Sequence, residues 1–340
     1  MKKILIYILV LFFIIFILPS VCTKRRENLE TVSENVTVTD TSGENKEEKI
    51  KYEYSKYSNI RLYHSKTSEI EEMTIDEYLY GVVSSEMPAN YEMEALKAQA
   101  IVARTYTIYQ IIHSNGKHPN SDICDDSTCC QAWISKDDRL AKWDESSKNS
   151  NWDKIVEAVN STQGQIITYN GEPIDAFFHS NSGGVTETAT NVWGGTNYPY
   201  LQSVETSGEN EYSQYNSEVE LTKEELVNKL KEKHQDVEIN WDEQNSIEIL
   251  DYTESGRVRT IKFGNIKIAG TEARTLLGLK STNFSFEINE DSVKFTVIGY
   301  GHGVGMSQTG ADSMAKSGSN CEEIIKHFYT GVEVEYVNEL

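Results

Sequence analysis

Glu86 is followed directly by Met87 and Pro88, and this placement gives one carboxylate of the 340-residue chain a route to acid chemistry. Proline pushes the residue before it out of the α region, so Met87 is expected extended and Glu86 at the last turn of a helix. The helix dipole is negative there, and with an apolar neighbour it disfavours the charged form and raises the pKa. A carboxyl that stays protonated near neutral pH can protonate a leaving glycosidic oxygen. Glycoside hydrolysis ordinarily uses two carboxylates. Glu187 is the other candidate, and its direction is open.

A second constellation is metal-like. His118, Cys124, Cys129 and Cys130 lie within thirteen residues of a polar, turn-rich segment, 113–133. Three thiolates and one imidazole suit a tetrahedral zinc site, structural because no position is left for water. A disulfide is the rival reading. A bridge between vicinal Cys129 and Cys130 would be strained, and Cys124 can pair with only one of them, leaving an odd thiol that metal ligation would use. His113 is the reserve ligand should Cys129 not serve.

Two small-residue loops complete the set. His179, Ser180, Ser182, Gly183 and Gly184 follow a strand, where backbone N–H groups can approach a ligand. They read as the lining of a glycan cleft; the nucleophile-elbow pattern of a serine hydrolase is absent. His302, Ser307 and Gln308 sit in a glycine-dense stretch opening a helix whose N-terminus would face a bound group. For both loops a tight turn satisfied by its own side chains is an equal alternative. Arg104, on a helix apolar nearly all round, needs an anionic or carbonyl partner: it either ties that helix to the core or organises the Glu86 pocket.

The elements that must hold these residues begin with Thr74 and Glu77, which form a capping box opening a helix that Pro88 closes. Asn90 is expected to cap the next helix, rich in alanine and buried. A strand at 60–63 precedes them. Later come a helix over 150–159, a hairpin about Asn170-Gly171, and a helix over 222–234 with a Thr222/Glu225 capping box. Strands follow at 247–252, 257–263, 266–268, 284–288 and 293–298, with a short helix at 271–277 and a last one at 322–329. Helices and strands without βαβ alternation indicate an α+β class, mixed helical and antiparallel.

A formal charge of −21 and no clustered Lys/Arg stripe exclude a nucleic-acid partner. Residues 4–18 are uninterrupted hydrocarbon apart from Tyr7 and, with 19–21, are long enough to span a bilayer once. The absence of an A-x-A-like cleavage site favours a retained anchor. The expected organisation is a membrane anchor at 1–25, a disordered tether at 26–49 that lacks apolar residues to fold, and an extracytoplasmic domain at 50–340, with 205–290 a candidate subdomain.

Three ordered stretches, YGVVSSEMP with EALKAQAIVARTY, FFHSNSGGVTET and GYGHGVGMSQTGA, resemble the stage II sporulation protein D (SpoIID) family, shared with the amidase-enhancer protein LytB. The likeness runs from about residue 60 to the C-terminus. It implies a single-pass, wall-facing lytic transglycosylase of peptidoglycan glycan strands, acting in spore engulfment. In that activity one acid suffices, because the muramyl 6-hydroxyl attacks its own anomeric carbon and leaves a 1,6-anhydro sugar. The resemblance also implies a SpoIIP-like amidase and peptidase and a membrane scaffold protein as partners. Some clostridial members are similar in carrying an H-x5-C-x5-C zinc loop, matched by His118, Cys124 and Cys130. The second function in view is a non-catalytic wall-binding activator of an amidase.

Overall fold

The computed structural model describes residues 57–337 except 114–116, 119 and 196–197, so the expected anchor and tether lie outside the described residues. Strands β1 (Asn59–Tyr63) and β2 (Ile70–Thr74) pair antiparallel and lead into helix α1 (Ile75–Glu86). The Thr74/Glu77 capping box forms, and Met87 is extended at φ −121°, ψ 141°, so the proline ends the helix on Glu86 as expected. Helix α2 (Met93–His113) begins two residues later than a cap at Asn90 would place it. Asn90 lies instead in a turn closed by the Tyr91 N–H on the Pro88 carbonyl, and the Glu92 N–H at the helix start donates to Asp312.

Helix α2 is the axis of the larger core. Ala95, Ala98, Ala100 and Ala103 have no exposed surface, and their small side chains let α1 and the later helices close around the backbone. A short strand β3 (Ile123–Cys124) joins β1 in parallel. Helices α3 (Lys136–Lys142) and α4 (Lys148–Asn160) follow. Ser135 caps α3 by accepting from the Asp138 N–H; the helix buries none of its residues, so it sits on the surface beside the α1 terminus.

The hairpin at Asn170-Gly171 forms between β4 (Gln165–Tyr169) and a two-residue β5 (Glu172–Pro173), with both turn residues at positive φ. Strand β6 (Phe178–His179) and helix α5 (Ala189–Trp193) follow. Next come β7 (Asn216–Thr222), α6 (Lys223–Lys231), β8 (Ile247–Tyr252), β9 (Val258–Phe263), β10 (Ile266–Ala269), α7 (Gly270–Leu277), β11 (Asn283–Ile288) and β12 (Ser292–Ile298). Their antiparallel sheets, ordered β11-β12-β7 and β10-β9-β8, build a second hydrophobic cluster with α6 and α7. The chain returns to the first core through β13 (Met306–Ser307), α8 (Gln308–Lys316), α9 (Cys321–Phe328) and β14 (Glu333–Tyr336). The architecture is mixed α+β with antiparallel sheets. Two short parallel pairs, β1 with β3 and β6 with β13, are additional to the expected pattern. The second pair brings two distant motifs side by side.

Candidate functional site

Glu86, the last residue of α1, opens into a cleft of about 430 Å³ lined by Met87, Pro88, Asn90, Arg139, Trp143, Asn151 and Gln214. Each carboxyl oxygen is oriented by one donor. The Ala132 N–H reaches Oε1 at 2.9 Å and the Gln308 side-chain amide reaches Oε2 at 3.2 Å. Burial raises the Glu86 pKa, and these two hydrogen bonds hold the rise in check. No basic residue stands in the last turn of α1 to offset the helix dipole. The result is a carboxyl fixed in direction and biased towards its protonated form. Gln308 is itself steered by Gln99 of α2, whose Oε1 lies 3.5 Å away.

Arg104 belongs elsewhere, and here the pocket-organising expectation is corrected. Its side chain has no exposed surface and donates to the carbonyls of Gln165 and Val159 at 3.2 and 3.3 Å, with Asp76 Oδ1 at 3.7 Å. Asp76 is in the first turn of α1, about 15 Å along the helix from Glu86 at 1.5 Å per residue. Arg104 therefore ties α2 to α4, β4 and the start of α1.

The two loops meet each other more than they meet the cleft. His179 and Ser182 are buried, and the His179 Nδ1–H donates to the Val304 carbonyl at 3.1 Å. Burial pushes the His179 imidazole well below its ordinary pKa, so it is neutral, and its Nε2 has no partner. His302 is also driven down by burial; its Nδ1 accepts from the Val304 N–H at 3.0 Å, and its ring packs 5.1 Å from that of Trp193 and 5.6 Å from that of His179. Gly305 explains part of the glycine density. It sits at φ +71°, where a Cβ would stand 1.9 Å from the Phe177 carbonyl oxygen, so at this glycine the third motif closes on the second.

The residue around which both loops fold is Glu209, which lies in the acidic stretch between them and was not singled out from sequence. Its Oε1 accepts from the Ser182 N–H (3.1 Å), Thr309 Oγ1 (3.1 Å) and Ser307 Oγ; its Oε2 accepts from Ser182 Oγ (2.5 Å), Thr206 Oγ1 (2.6 Å) and the Gly184 N–H (2.9 Å). Burial alone would raise its pKa, but these donors hold the carboxylate below its ordinary range. Ser182 and Gly184 thus spend their donors on Glu209, and Gly183 donates to the Asn181 side chain. Ser180 remains partly exposed, and its carbonyl accepts the Thr309 N–H of α8. Glu187 is no second acid: it is buried and accepts from the Thr188 N–H, Asn191 and Ser255.

His118, Cys124, Cys129 and Cys130 come together, with one ligand atom of each within 4.8 Å of the others. The Cys residues are free thiols, so the disulfide alternative is not formed. His118 Nε2 lies 3.2 Å from Cys130 Sγ and 3.6 Å from Cys129 Sγ, and the two sulfurs are 4.0 Å apart. Tetrahedral zinc with ordinary bond lengths needs edges of about 3.6 Å (N to S) and about 3.8 Å (S to S), so the donor set fits a metal of that kind. His113 stacks on Tyr109 and bonds its carbonyl, outside the group.

Arg139 on α3 and Trp143 at its C-cap, one helical turn apart, also escaped the sequence reading as site residues. The signal for them was the Ser135/Asp138 cap, which starts a helix whose i, i+4 positions share a face.

The family model for SpoIID, stage II sporulation protein, matches residues 63–169, which include Glu86 and the Cys/His cluster. The stage II sporulation protein D of Bacillus subtilis (strain 168) is 35% identical over 277 residues, covering 81% of this chain and 78% of that protein. The chain belongs to the stage II sporulation protein D family. That of Bacillus amyloliquefaciens is 34% identical over the same shares. An amidase enhancer of B. subtilis is 28% identical over 74% of this chain and 39% of its own length. Membership associates the chain with sporulation and the cell wall.

Proposed function

We propose that the chain is a lytic transglycosylase that cleaves the bond between muramyl and glucosaminyl residues of peptidoglycan glycan strands. The observation carrying this reading is Glu86: one cleft carboxyl, held by Ala132 and Gln308 and raised in pKa by burial, with Glu187 withdrawn into a structural role. Glu86 protonates the glycosidic oxygen as the bond to the anomeric carbon breaks, releasing the glucosaminyl 4-hydroxyl. The resulting carboxylate takes the proton from the muramyl 6-hydroxyl as that oxygen bonds to the same carbon, closing the 1,6-anhydro ring and restoring the acid. Trp143 offers an aromatic wall to a sugar. His118, Cys124, Cys129 and Cys130 hold zinc as a closed structural site that orders the loop leading to Ala132. The domain faces the wall from a single N-terminal anchor, beside a SpoIIP-like amidase and peptidase and a membrane scaffold.

The amidase-enhancer relative favours a second reading, a wall-binding activator of an amidase without chemistry of its own. Mass spectrometry of glycan strands incubated with the protein separates the two. Anhydromuramyl ends support transglycosylation; reducing ends would make the protein a hydrolase, and intact strands that remain bound would make it an activator.

A further inference from the structure

Arg139 lines the same cleft as Glu86, and among the described residues it forms no ion pair. Its guanidinium carbon lies over the Trp143 ring, 4.6 Å from the centroid, and its Nε is buried without a hydrogen-bond partner. Burial pushes its pKa down, and among the described residues no carboxylate raises it. Arg104 and Arg257 leave the same nitrogen unpaired, but their terminal nitrogens donate to carbonyls, and Arg259 pairs with Asp251 and Glu254; among the described residues the terminal nitrogens of Arg139 have no such partner. In a chain with 53 acidic and 32 basic residues, an arginine without a carboxylate partner in a cavity is a site kept open for an anion.

Resting on the glycan reading above, we infer that Arg139 forms an anion subsite for a carboxylate carried by the sugar at the scissile bond, the lactyl carboxylate of a muramyl residue without its stem peptide. Arg139 and Glu86 line one cleft of about 430 Å³, so an anion held by Arg139 is placed on a sugar near the reacting bond. The lactyl group meets that requirement. A stem peptide turns the lactyl carboxylate into a neutral amide, and its own terminal carboxylate lies further off by about 3.3 Å per residue. The Trp143 ring supports the guanidinium from one side, and the guanidinium fork suits bidentate capture of a carboxylate.

The test uses the full-length chain carrying Glu86→Gln, so that binding is read without turnover, and calorimetry with three muramyl oligosaccharides of equal length. One bears the free lactyl carboxylate, one its methylamide, and one a stem peptide. The free acid should bind about tenfold or more tighter than the methylamide. Adding Arg139→Gln should erase that ratio while leaving methylamide affinity in place, and Arg139→Lys should restore part of it. Retained methylamide binding also shows that the variant is folded; if Arg139→Gln does not fold, the reduced ratio in Arg139→Lys decides. Equal binding of acid and methylamide by the parent, an undiminished ratio in Arg139→Gln, or no binding of any probe overturns the subsite. Arg139-dependent preference for the peptide-bearing probe overturns the lactyl assignment. Intact strands in the cleavage assay would sink transglycosylation and leave the subsite standing.

Discussion

Replacing Glu209 by Gln tests whether one buried carboxylate holds the two glycine-rich loops and the helix that carries Gln308. Each carboxylate oxygen accepts three donors, and one of each three is a backbone N–H, Ser182 on Oε1 and Gly184 on Oε2. Hydroxyls of Ser182, Thr206, Ser307 and Thr309 can rotate to accept from a new amide NH₂, but a backbone N–H cannot. Either orientation of the substituted amide would therefore leave one buried N–H facing a donor, at about 1–3 kcal/mol, and convert the other bonds from charged to neutral. The expected loss is about 2–4 kcal/mol at pH 7 by that reasoning, read from urea unfolding of parent and Glu209→Gln. The sign with pH follows from the lowered pKa. The advantage of the parent is complete above the unfolded value, about 4.3 for Glu, and fades as pH falls through the lower folded value. A difference below about 0.5 kcal/mol at pH 7, the range of an ordinary surface change, or one that does not shrink in acid, would refute the clasp.

Four further outcomes are expected. Because Glu86 must be protonated to act first, cleavage should fall as pH rises through its raised pKa. Gln308→Leu removes a donor to the carboxylate, so that alkaline limb should move upward by up to about one pH unit; an unmoved or downward limb contradicts the contact. Protein purified without added metal should contain about one zinc per chain. Cys124→Ser should lose the zinc, thermal stability and cleavage together, and a metal-free parent that is equally stable contradicts the structural site.

Local chemistry was legible where neighbours in sequence are neighbours in space. The Thr74/Glu77 and Thr222/Glu225 capping boxes, the stop at Pro88, the Asn170-Gly171 turn and the Cys/His cluster all depend on contacts within about a dozen residues. Glu209 was illegible because its donors come from 182–184, 206 and 307–309, and in sequence it is one more acid in an acidic stretch. Arg104 failed for the same reason in reverse. Its need for partners was visible, but whether they were carbonyls of α4 and β4 or the Glu86 pocket depended on packing. Asn90 carried a good cap signal, yet the Pro88 turn took the chain and delayed α2 to Met93. Gln308 was visible in its motif, whereas its bond to Glu86, 222 residues away, was not.

The central claim is that Glu86 is the acid and the base of glycan cleavage, and the direct measurement is anhydromuramyl product formed by the parent and by Glu86→Gln on peptide-free strands, beside binding of both to the same strands. Gln keeps the shape and removes the titratable proton, so binding should persist while the rate falls by about 10²- to 10⁴-fold or more, since one group serves two steps. Anhydro product formed by Glu86→Gln at the parent's rate would contradict the claim.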